Sequence, residues 1–275
     1  MRQLGEVLRL SAGYLSEHGS PTPRLDAELL VGHALGLPRI ELYTNFDRPL
    51  DEPELAACRA LLERRGRREP VAYILGRWGF HGLDLAVDGR VLVPRPETEV
   101  LVERCLALLE GREAPRVVDV GTGSGAIALA LADEHAGAQV TGIDASADAL
   151  ALARENAERC GLTVALELRD ALLGLPAGPW DVVVSNPPYV PEAERDSLLP
   201  EVRDWEPAAS LFANGVTEAI ARSARDVLAE TGAVVLEAAD GAARDVAALL
   251  ESLGYAQVRV TKDLTGRERV VEGRR

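Results

Sequence analysis

The tetrapeptide Asn186-Pro187-Pro188-Tyr189 ends an apolar run and places a carboxamide, two imides and a phenol side by side. Neither proline has a backbone N–H and each holds the residue before it extended, so sheet pairing has to stop here. A side-chain amide oxygen beside a free backbone carbonyl makes a pair of hydrogen-bond acceptors, with an aromatic face alongside. This predicts a site for a planar amino group with two N–H bonds. The competing interpretation is a plain strand terminator with an incidental Asn.

A second cluster lies upstream, where the run 117–120 leads into the glycine-rich loop 121–125 and an alanine-rich helix pattern. Strand, glycine loop and helix in this order form half of a mononucleotide-binding fold, because glycine lets the backbone turn sharply and a ligand approach closely. The loop also satisfies the dinucleotide fingerprint. It therefore predicts a cofactor without separating nicotinamide dinucleotides from S-adenosylmethionine.

Asp144 ends the next apolar segment and carries a carboxylate toward the same region. A carboxylate at this position accepts hydrogen bonds from a ribose diol, which both cofactors contain. The alternative is an N-cap for the helix that follows.

These clusters need a scaffold, and after Pro96 the chain alternates between helix and strand patterns. The predicted helices span 97–110, 125–135, 147–160, 215–230 and 242–253, and the predicted strands span 116–120, 139–143, 164–168, 181–185, 233–237, 255–261 and 268–271. Strands that alternate with helices of this length predict a mostly parallel, doubly wound α/β sheet. The last two strands must be antiparallel because their connection is short.

Residues 1–95 show different sequence patterns. Residues 1–70 carry apolar side chains at helical spacing and predict a small helical bundle with no strands. Residues 71–95 hold short apolar stretches, including 71–75, and predict a β-hairpin linker with its turn at Asp88-Gly89. The third domain is then 96–275.

Composition excludes several classes of protein. At 275 residues and 47% apolar content, the chain is long enough for a globular protein with one large and one small domain. The net charge of -14 disfavours wrapping of a nucleic-acid backbone. A basic cluster at Arg64, Arg65, Arg67 and Arg68 either complements a helix C-terminus or contacts an acidic partner or RNA.

Neither a membrane span nor a secretion signal is visible, so a cytoplasmic location without membrane contact is expected. The three cysteines are scattered and are predicted to be reduced packing residues. The four histidines show no pair with metal-ligand spacing, so no metal is assigned.

The Asn186–Tyr189 segment and the glycine loop together limit the reactions that the protein could catalyse. A clamp for an amino group suits methyl transfer to nitrogen, whereas no acid or base for hydride chemistry is evident. The glycine loop followed by Asn186–Tyr189 resembles the class I S-adenosylmethionine-dependent methyltransferases that act on planar nitrogens. With the segments Leu92–Glu99, Trp205–Pro207 and Lys262–Arg269 and the helical amino-terminal region, the whole chain is similar to the HemK/PrmC family. Its members are peptide chain release factor N5-glutamine methyltransferases.

The resemblance implies a class I Rossmann-like sheet behind a small helical domain, with S-adenosylmethionine as cofactor. It also places Asp170-Ala171 where the family contacts the adenine, although Asp170 could equally serve as a turn residue. The predicted cofactor-binding residues are Gly121, Thr122, Gly123, Ser124, Gly125, Asp144, Asp170, Ala171 and Asn186.

The substrate side follows from the same resemblance. The side-chain oxygen of Asn186 and the carbonyl oxygen of Pro187 accept the two N–H bonds of a glutamine amide, and Tyr189 lines the pocket and stacks on the amide plane. Asn186, Pro187 and Tyr189 are thus predicted to be catalytic, and Pro188 joins them in binding substrate. The expected partner is a release factor carrying a Gly-Gly-Gln motif, docked on the helical domain of a monomer.

Three alternatives stay open at this point. The substrate could be a glutamine of a ribosomal protein, since the chemistry is identical. It could be the N6 amino group of adenine in DNA or RNA, against which the acidic charge argues. A nucleotide-binding sensor without activity would leave the amino-group clamp unexplained.

Overall fold

The computed structural model describes residues 2–212 and 215–275. The chain divides into two compact units: one contains the amino-terminal residues up to Arg77 together with Leu198–Trp205, and the other contains Trp78–Ser197 and Glu206–Arg275. The sequence does not foresee that Leu198–Trp205 groups with the first unit. The domain boundaries at residues 70 and 95 stay a prediction.

The first unit is built from helices. They are α1 (Leu4–Glu17), α2 (Pro23–Leu35), α3 (Arg39–Thr44) and α4 (Glu52–Gly66), with short helices at Val71–Leu75 and Pro200–Arg203. Leu4, Val31, Leu42 and Leu50 are among its buried core residues. The expectation of no strands is wrong in one detail, because Arg2–Gln3 pairs antiparallel with Pro49–Leu50.

The arginine cluster is largely used inside this unit. Arg65 is 4% exposed and donates hydrogen bonds to Asp26 at 2.7 Å and to Glu201 at 2.9 Å. Arg68 also pairs with Glu201, and Arg64 pairs with Glu69. Because three of the four guanidinium groups neutralise neighbouring carboxylates, the cluster is not a continuous basic surface.

The linker region differs from its prediction in two places. Residues Val71–Leu75 form a helix rather than a strand, since Pro70 precedes it and Gly76 ends it in the left-handed conformation with φ 69°. The hairpin pairs Arg77–Phe80 with Leu83–Ala86. Its turn lies at His81-Gly82, with φ of 46° and 82°, and not at Asp88-Gly89. Two positive φ values match the strand twist of a tight hairpin.

Within the described part of the second unit, a seven-stranded sheet carries the fold. Its strands are β1 (Arg116–Val120), β2 (Gln139–Asp144), β3 (Ala165–Leu168), β4 (Trp180–Ser185), β5 (Leu228–Glu237), β6 (Ala256–Lys262) and β7 (Glu268–Arg274). The spatial order is β6-β7-β5-β4-β1-β2-β3. Strands β1 to β5 pair parallel, and β7 lies antiparallel to both β5 and β6, as the sequence predicts.

Helices cover both faces of this sheet. They are α5 (Pro96–Leu109), α6 (Ala126–Glu134), α7 (Ala147–Cys160), α8 (Val216–Val227) and α9 (Ala243–Ser252), with a short helix at Ala208–Leu211. Successive strand residues alternate between two buried clusters: Val117 packs with α5 and α6, whereas Val118 packs with α8 and α9. Burial on both faces explains why the strands read as continuous apolar runs.

The helix predicted to run to Glu230 ends at Val227, because Leu228 already pairs with Trp180 of β4. None of the described helices is long and apolar enough to cross a membrane. The same residues contain no group of three or more His, Cys, Asp or Glu side chains placed to hold a metal ion.

Candidate active site

The carboxyl ends of β1, β2 and β4 meet around one cavity of about 390 Å³. Parallel strands bring their carboxyl ends to the same edge of the sheet. A crevice opens between the neighbouring strands β1 and β4, because the connections that follow them lead to helices on opposite faces. The predicted residues that line this cavity are Gly121, Gly123, Asp144, Asp170, Ala171, Asn186, Pro187 and Pro188. Residues from four separate predictions therefore share one site, which we call the cofactor cavity: the glycine loop, Asp144, Asp170-Ala171 and Asn186–Pro188.

The glycine loop bends sharply between β1 and α6. Gly121, Gly123 and Gly125 have φ of 75°, 55° and 82°, values that residues other than glycine rarely adopt. A Cβ added to Gly121 or Gly123 would meet no atom within 4 Å, so the cavity reaches the loop backbone itself. The loop thus offers close backbone access, as a bound nucleoside or amino acid requires.

The other predicted loop residues support the loop from behind. Thr122, Ser124 and Gly125 are not among the residues that line the cavity. The buried Thr122 hydroxyl donates to Asp119 Oδ2 at 2.6 Å, and the Ser124 carbonyl accepts from Asn156 Nδ2 at 2.9 Å. The assignment of these three residues to cofactor binding stays a prediction.

Asp119 lies beneath the loop and is completely buried. Burial is the main reason why its pKa rises to about 7, although the Thr122 hydroxyl opposes this shift. Its second oxygen, Oδ1, has no hydrogen-bond partner among the described residues. A carboxyl group in this setting holds the loop through Thr122 and carries a proton below neutral pH.

Two carboxylates lie on the cavity wall. Asp144 accepts hydrogen bonds from the backbone N–H groups of Gly123 and Ser146, one on each oxygen and both at 2.9 Å. Each oxygen keeps a lone pair for a further donor such as a ribose hydroxyl. Asp170 Oδ1 accepts from Leu172 N at 2.9 Å, so this residue is both a turn former and a lining residue.

The tetrapeptide after β4 separates two cavities. Asn186, Pro187 and Pro188 line the cofactor cavity, whereas Pro188 and Tyr189 line a neighbouring cavity of about 360 Å³. The Tyr189 hydroxyl donates to Glu237 Oε1 at 3.4 Å. Burial and the nearby Glu237 raise the pKa of Tyr189 to about 12, so the phenol stays protonated. The stacking role of Tyr189 stays a prediction.

Thr98 and Glu237 are residues that the sequence analysis did not assign to the site. The Thr98 hydroxyl donates to Glu237 Oε2 at 2.7 Å and accepts from Asn186 Nδ2 at 3.2 Å. A signal for Glu237 existed, because it ends the strand that neighbours β4. Thr98 gave no such signal, since a threonine in a first helical turn is common.

A further pair joins two segments that carry the family resemblance. Arg95 Nη2 donates to both oxygens of the buried Glu206, at 2.7 Å and 2.6 Å. This ion pair fixes the start of α5 to the chain before Pro207, which also lines the cofactor cavity. Both segments therefore shape the cavity, since Leu92 and Pro207 are among its lining residues.

Comparison with known proteins agrees with this geometry. Residues 6–76 match the family described as the PrmC N-terminal domain, and residues 97–201 match the methyltransferase small domain. The release factor glutamine methyltransferase of Geobacter sulfurreducens is 44% identical over 98% of this chain and 95% of its own length. The enzyme of the same name from Deinococcus radiodurans is 41% identical over 99% of both chains.

A methyltransferase from Pyrococcus furiosus has a similar fold, with a TM-score of 0.51 and 22% identity over 70% of this chain and 89% of its own. The sheet order, the glycine loop and the cavity at the carboxyl ends of the strands define a class I, Rossmann-like methyltransferase. Within that class, the chain belongs to the release factor glutamine methyltransferase family.

Proposed function

We propose that this protein transfers a methyl group from S-adenosylmethionine to the side-chain amide nitrogen, N5, of the glutamine in the Gly-Gly-Gln motif of peptide chain release factors. The observation that carries the proposal is the position of Asn186-Pro187 on the wall of the cofactor cavity. Identity of 44% with a release factor glutamine methyltransferase over nearly the full chain supports the choice of substrate.

The residues of the cavity fit the cofactor. The backbone at Gly121 and Gly123 is open to the cavity, and the Asp144 carboxylate suits a ribose diol. Asp170 and Ala171 line the same cavity, and the family resemblance assigns them to the adenine. S-adenosylmethionine supplies an electrophilic methyl group on its sulfonium. Asn186 forms part of the same wall, so the acceptor nitrogen and the methyl donor would be held in one space.

The chemical problem is the weak nucleophilicity of an amide nitrogen, whose lone pair is delocalised into the carbonyl. Asn186 Oδ1 and the Pro187 carbonyl oxygen would accept the two N–H bonds and favour a pyramidal nitrogen. Orientation of reacting groups is worth up to about 7 to 11 kcal/mol, so the clamp can supply much of the acceleration. The methylated nitrogen is strongly acidic and releases its extra proton to water, so no general base is required.

The proposal also covers the partner, the oligomeric state and the location of the protein. An acidic chain with net charge -14 suits a protein substrate better than a nucleic acid. We expect the helical unit to dock the release factor and the enzyme to act as a monomer in the cytoplasm, where translation takes place. Sedimentation of the purified protein, alone and with a release factor, tests the first two points.

The substrate is tested by incubating the protein with S-adenosylmethionine and, separately, with a release factor, ribosomal proteins and duplex DNA. Mass spectrometry should locate one added methyl on the glutamine of the Gly-Gly-Gln motif. A release factor with Glu in place of that glutamine is the matched control and should stay unmodified. Methylated adenine or a methylated ribosomal protein, with an unmodified release factor, would contradict the proposal.

The role of the clamp is tested by Asn186→Ala. Transfer should be abolished because the amide nitrogen loses one acceptor, while cofactor binding measured by calorimetry stays largely intact. Retained turnover would remove Asn186 from the mechanism.

A further inference from the structure

A buried series of hydrogen bonds joins the proposed clamp to the Glu237 carboxylate at the end of the neighbouring strand β5. Asn186 Nδ2 donates to Thr98 Oγ1 at 3.2 Å, and the Thr98 hydroxyl donates to Glu237 Oε2 at 2.7 Å. Thr98 and Glu237 are 4% and 2% exposed. Neither residue lines the cofactor cavity, so these hydrogen bonds reach Asn186 from within the protein and not across the cavity.

The direction of this chain is fixed by chemistry. While Glu237 is ionised, its carboxylate only accepts hydrogen bonds, so the single hydroxyl proton of Thr98 points at Glu237. The Thr98 oxygen can then face Asn186 only as an acceptor, which selects the amide orientation with Nδ2 toward Thr98. The two ends of an amide have nearly the same shape, so hydrogen bonds decide between the orientations.

The orientation of the Asn186 amide determines which of its atoms faces the substrate. With Nδ2 held by Thr98, Oδ1 is presented as the free acceptor, and none of the described residues donates a hydrogen bond to it. The opposite orientation would present two N–H bonds to a substrate amide that itself brings N–H bonds. The amide orientation therefore separates a competent clamp from one that repels its substrate.

Groups around Glu237 act on its ionisation in both directions. Tyr189 donates to Oε1. Arg269 lies close enough to act on its charge, and this arginine donates to the Ala238 carbonyl at 3.2 Å and is paired with Asp263. Burial, together with nearby Glu97, raises the pKa of Glu237 above its ordinary value, although the Thr98 hydrogen bond, Arg269 and Tyr189 oppose the rise.

We propose that Thr98 and Glu237 are positioning residues that orient the Asn186 amide so that Oδ1 receives the substrate N–H. The proposal rests on the clamp role of Asn186 proposed above. It also gives two sequence segments of the family resemblance a shared purpose. Thr98 lies in the segment Leu92–Glu99, within the first turn of α5, and Arg269 ends the segment Lys262–Arg269.

A pH effect follows from the direction of the chain. When Glu237 takes up a proton, its carboxyl can donate to Thr98, and the freed Thr98 proton can then point at Asn186. That reversal favours the orientation with Oδ1 toward Thr98, so kcat should fall as the pH drops through the pKa of Glu237. Burial and the Thr98 hydrogen bond act most strongly on this pKa, and the charged or titratable groups that act on it are Arg269, Tyr189 and Glu97.

The test compares Thr98→Val, which keeps the shape of the side chain and removes the hydroxyl, with Thr98→Ser, which keeps the hydroxyl. Thr98→Val should lower kcat by about 10- to 100-fold, the scale of one lost hydrogen bond to a polar group, and leave the Kd for S-adenosylmethionine unchanged. Thr98→Ser should restore most of kcat. The matched control is Thr261→Val, which removes a buried hydroxyl with no partner among the described residues and should leave kcat unchanged.

Glu237→Gln provides the readout that a purely structural role would not move. The side chain keeps its volume but can donate to Thr98 at every pH, so kcat should be low and should lack the acid limb of the wild-type profile. Wild-type kcat in folded Thr98→Val, an equal loss in Thr98→Val and Thr98→Ser, or an unchanged acid limb in Glu237→Gln would each overturn the proposal.

The outcome is separable from that of the proposed function. If Asn186→Ala keeps turnover, the clamp itself is wrong. If Asn186→Ala is inactive while Thr98→Val is fully active, the clamp stands and only the positioning role fails. A loss of cofactor binding in Thr98→Val would assign Thr98 to the fold and would also overturn the positioning role.

Discussion

Asp144 Oδ2 accepts a hydrogen bond from the backbone N–H of Gly123 at 2.9 Å. The other oxygen of the same carboxylate accepts from Ser146 N, at the start of α7. One side chain at the end of β2 thus fixes the glycine loop that follows β1 and the entry to the next helix. Because all three residues line the cofactor cavity, this carboxylate shapes the cavity as well as facing it.

We expect Asp144→Asn to raise the Kd for S-adenosylmethionine by about 10- to 100-fold, because the amide has one acceptor oxygen in place of two and lacks the charge. Titration calorimetry measures the effect. Asp148→Asn, an exposed change in the first turn of α7, is the control and should leave the Kd unchanged. Equal Kd values in the two variants would show that Asp144 does not hold the cofactor.

Gly142 in β2 lies directly behind the glycine loop. A Cβ at this position would lie 2.8 Å from Thr122 Oγ1, whose hydroxyl is held by Asp119. Gly142→Ala should therefore displace the loop, lower the free energy of unfolding by about 1 to 3 kcal/mol and weaken cofactor binding. Gly13→Ala in α1 is the opposite case, since no atom lies within 4 Å of the added Cβ.

Gly13→Ala should stabilise the protein by about 0.5 to 1 kcal/mol through helix propensity and leave cofactor binding unchanged. Urea unfolding and calorimetry on both variants provide the measurement. The explanation fails if Gly142→Ala binds the cofactor as tightly as Gly13→Ala.

Asp119 should make stability depend on pH in the acid to neutral range. Burial raises its folded pKa to about 7 from the ordinary value of 3.8. Between these values the folded state binds the proton and the unfolded state does not, so the free energy of unfolding from this group falls as pH rises from about 4 to about 7. Asp119→Asn, which cannot titrate, should lack this decline.

The measurement is the difference in free energy of unfolding between wild type and Asp119→Asn at several pH values. That difference should change steadily up to about pH 7 and stay constant above it. A constant difference across the whole range would mean that Asp119 is already ionised, with a folded pKa near its ordinary value.

Arg65 should be among the most important polar side chains of the first unit for stability. It is buried and donates to both Asp26 and Glu201, so Arg65→Met would leave the buried Asp26 without its cation and Glu201 with Arg68 alone. Breaking a buried ion pair on one side costs about 3 to 5 kcal/mol. Urea unfolding should show a loss of this size.

The matched control is Arg59→Met in the same helix. Arg59 pairs with Glu52, but their side chains are 60% and 77% exposed, so its removal should cost less than about 1 kcal/mol. Similar losses in the two variants would contradict a special role for the buried cluster.

Much of the fold could be predicted because its signals are local. Alternating helix and strand patterns after Pro96 predicted every strand of the large sheet, and the short connection after Lys262 required the antiparallel pair at its edge. The errors lie in segments where the backbone conformation of individual residues, and not the hydrophobic pattern, decides the secondary structure. Residues 71–75 are as apolar as a strand, but the flanking Pro70 and Gly76 enclose a helical turn.

The sequence by itself determined the class of fold, the glycine loop, Asp144 and Asn186-Pro187, because glycines, prolines and strand-end polar residues carry their meaning in short motifs. Only the tertiary structure decided what holds Asn186. Thr98 is 88 residues from Asn186 and 139 residues from Glu237. Asn186 and Glu237 meet because β4 and β5 are neighbours in the sheet, and α5, which carries Thr98, packs against both strands. The same reason applies to Tyr189, whose side chain lies beside Glu237 in the neighbouring cavity. Motifs report the chemistry of a segment, whereas contacts between segments arise only from packing.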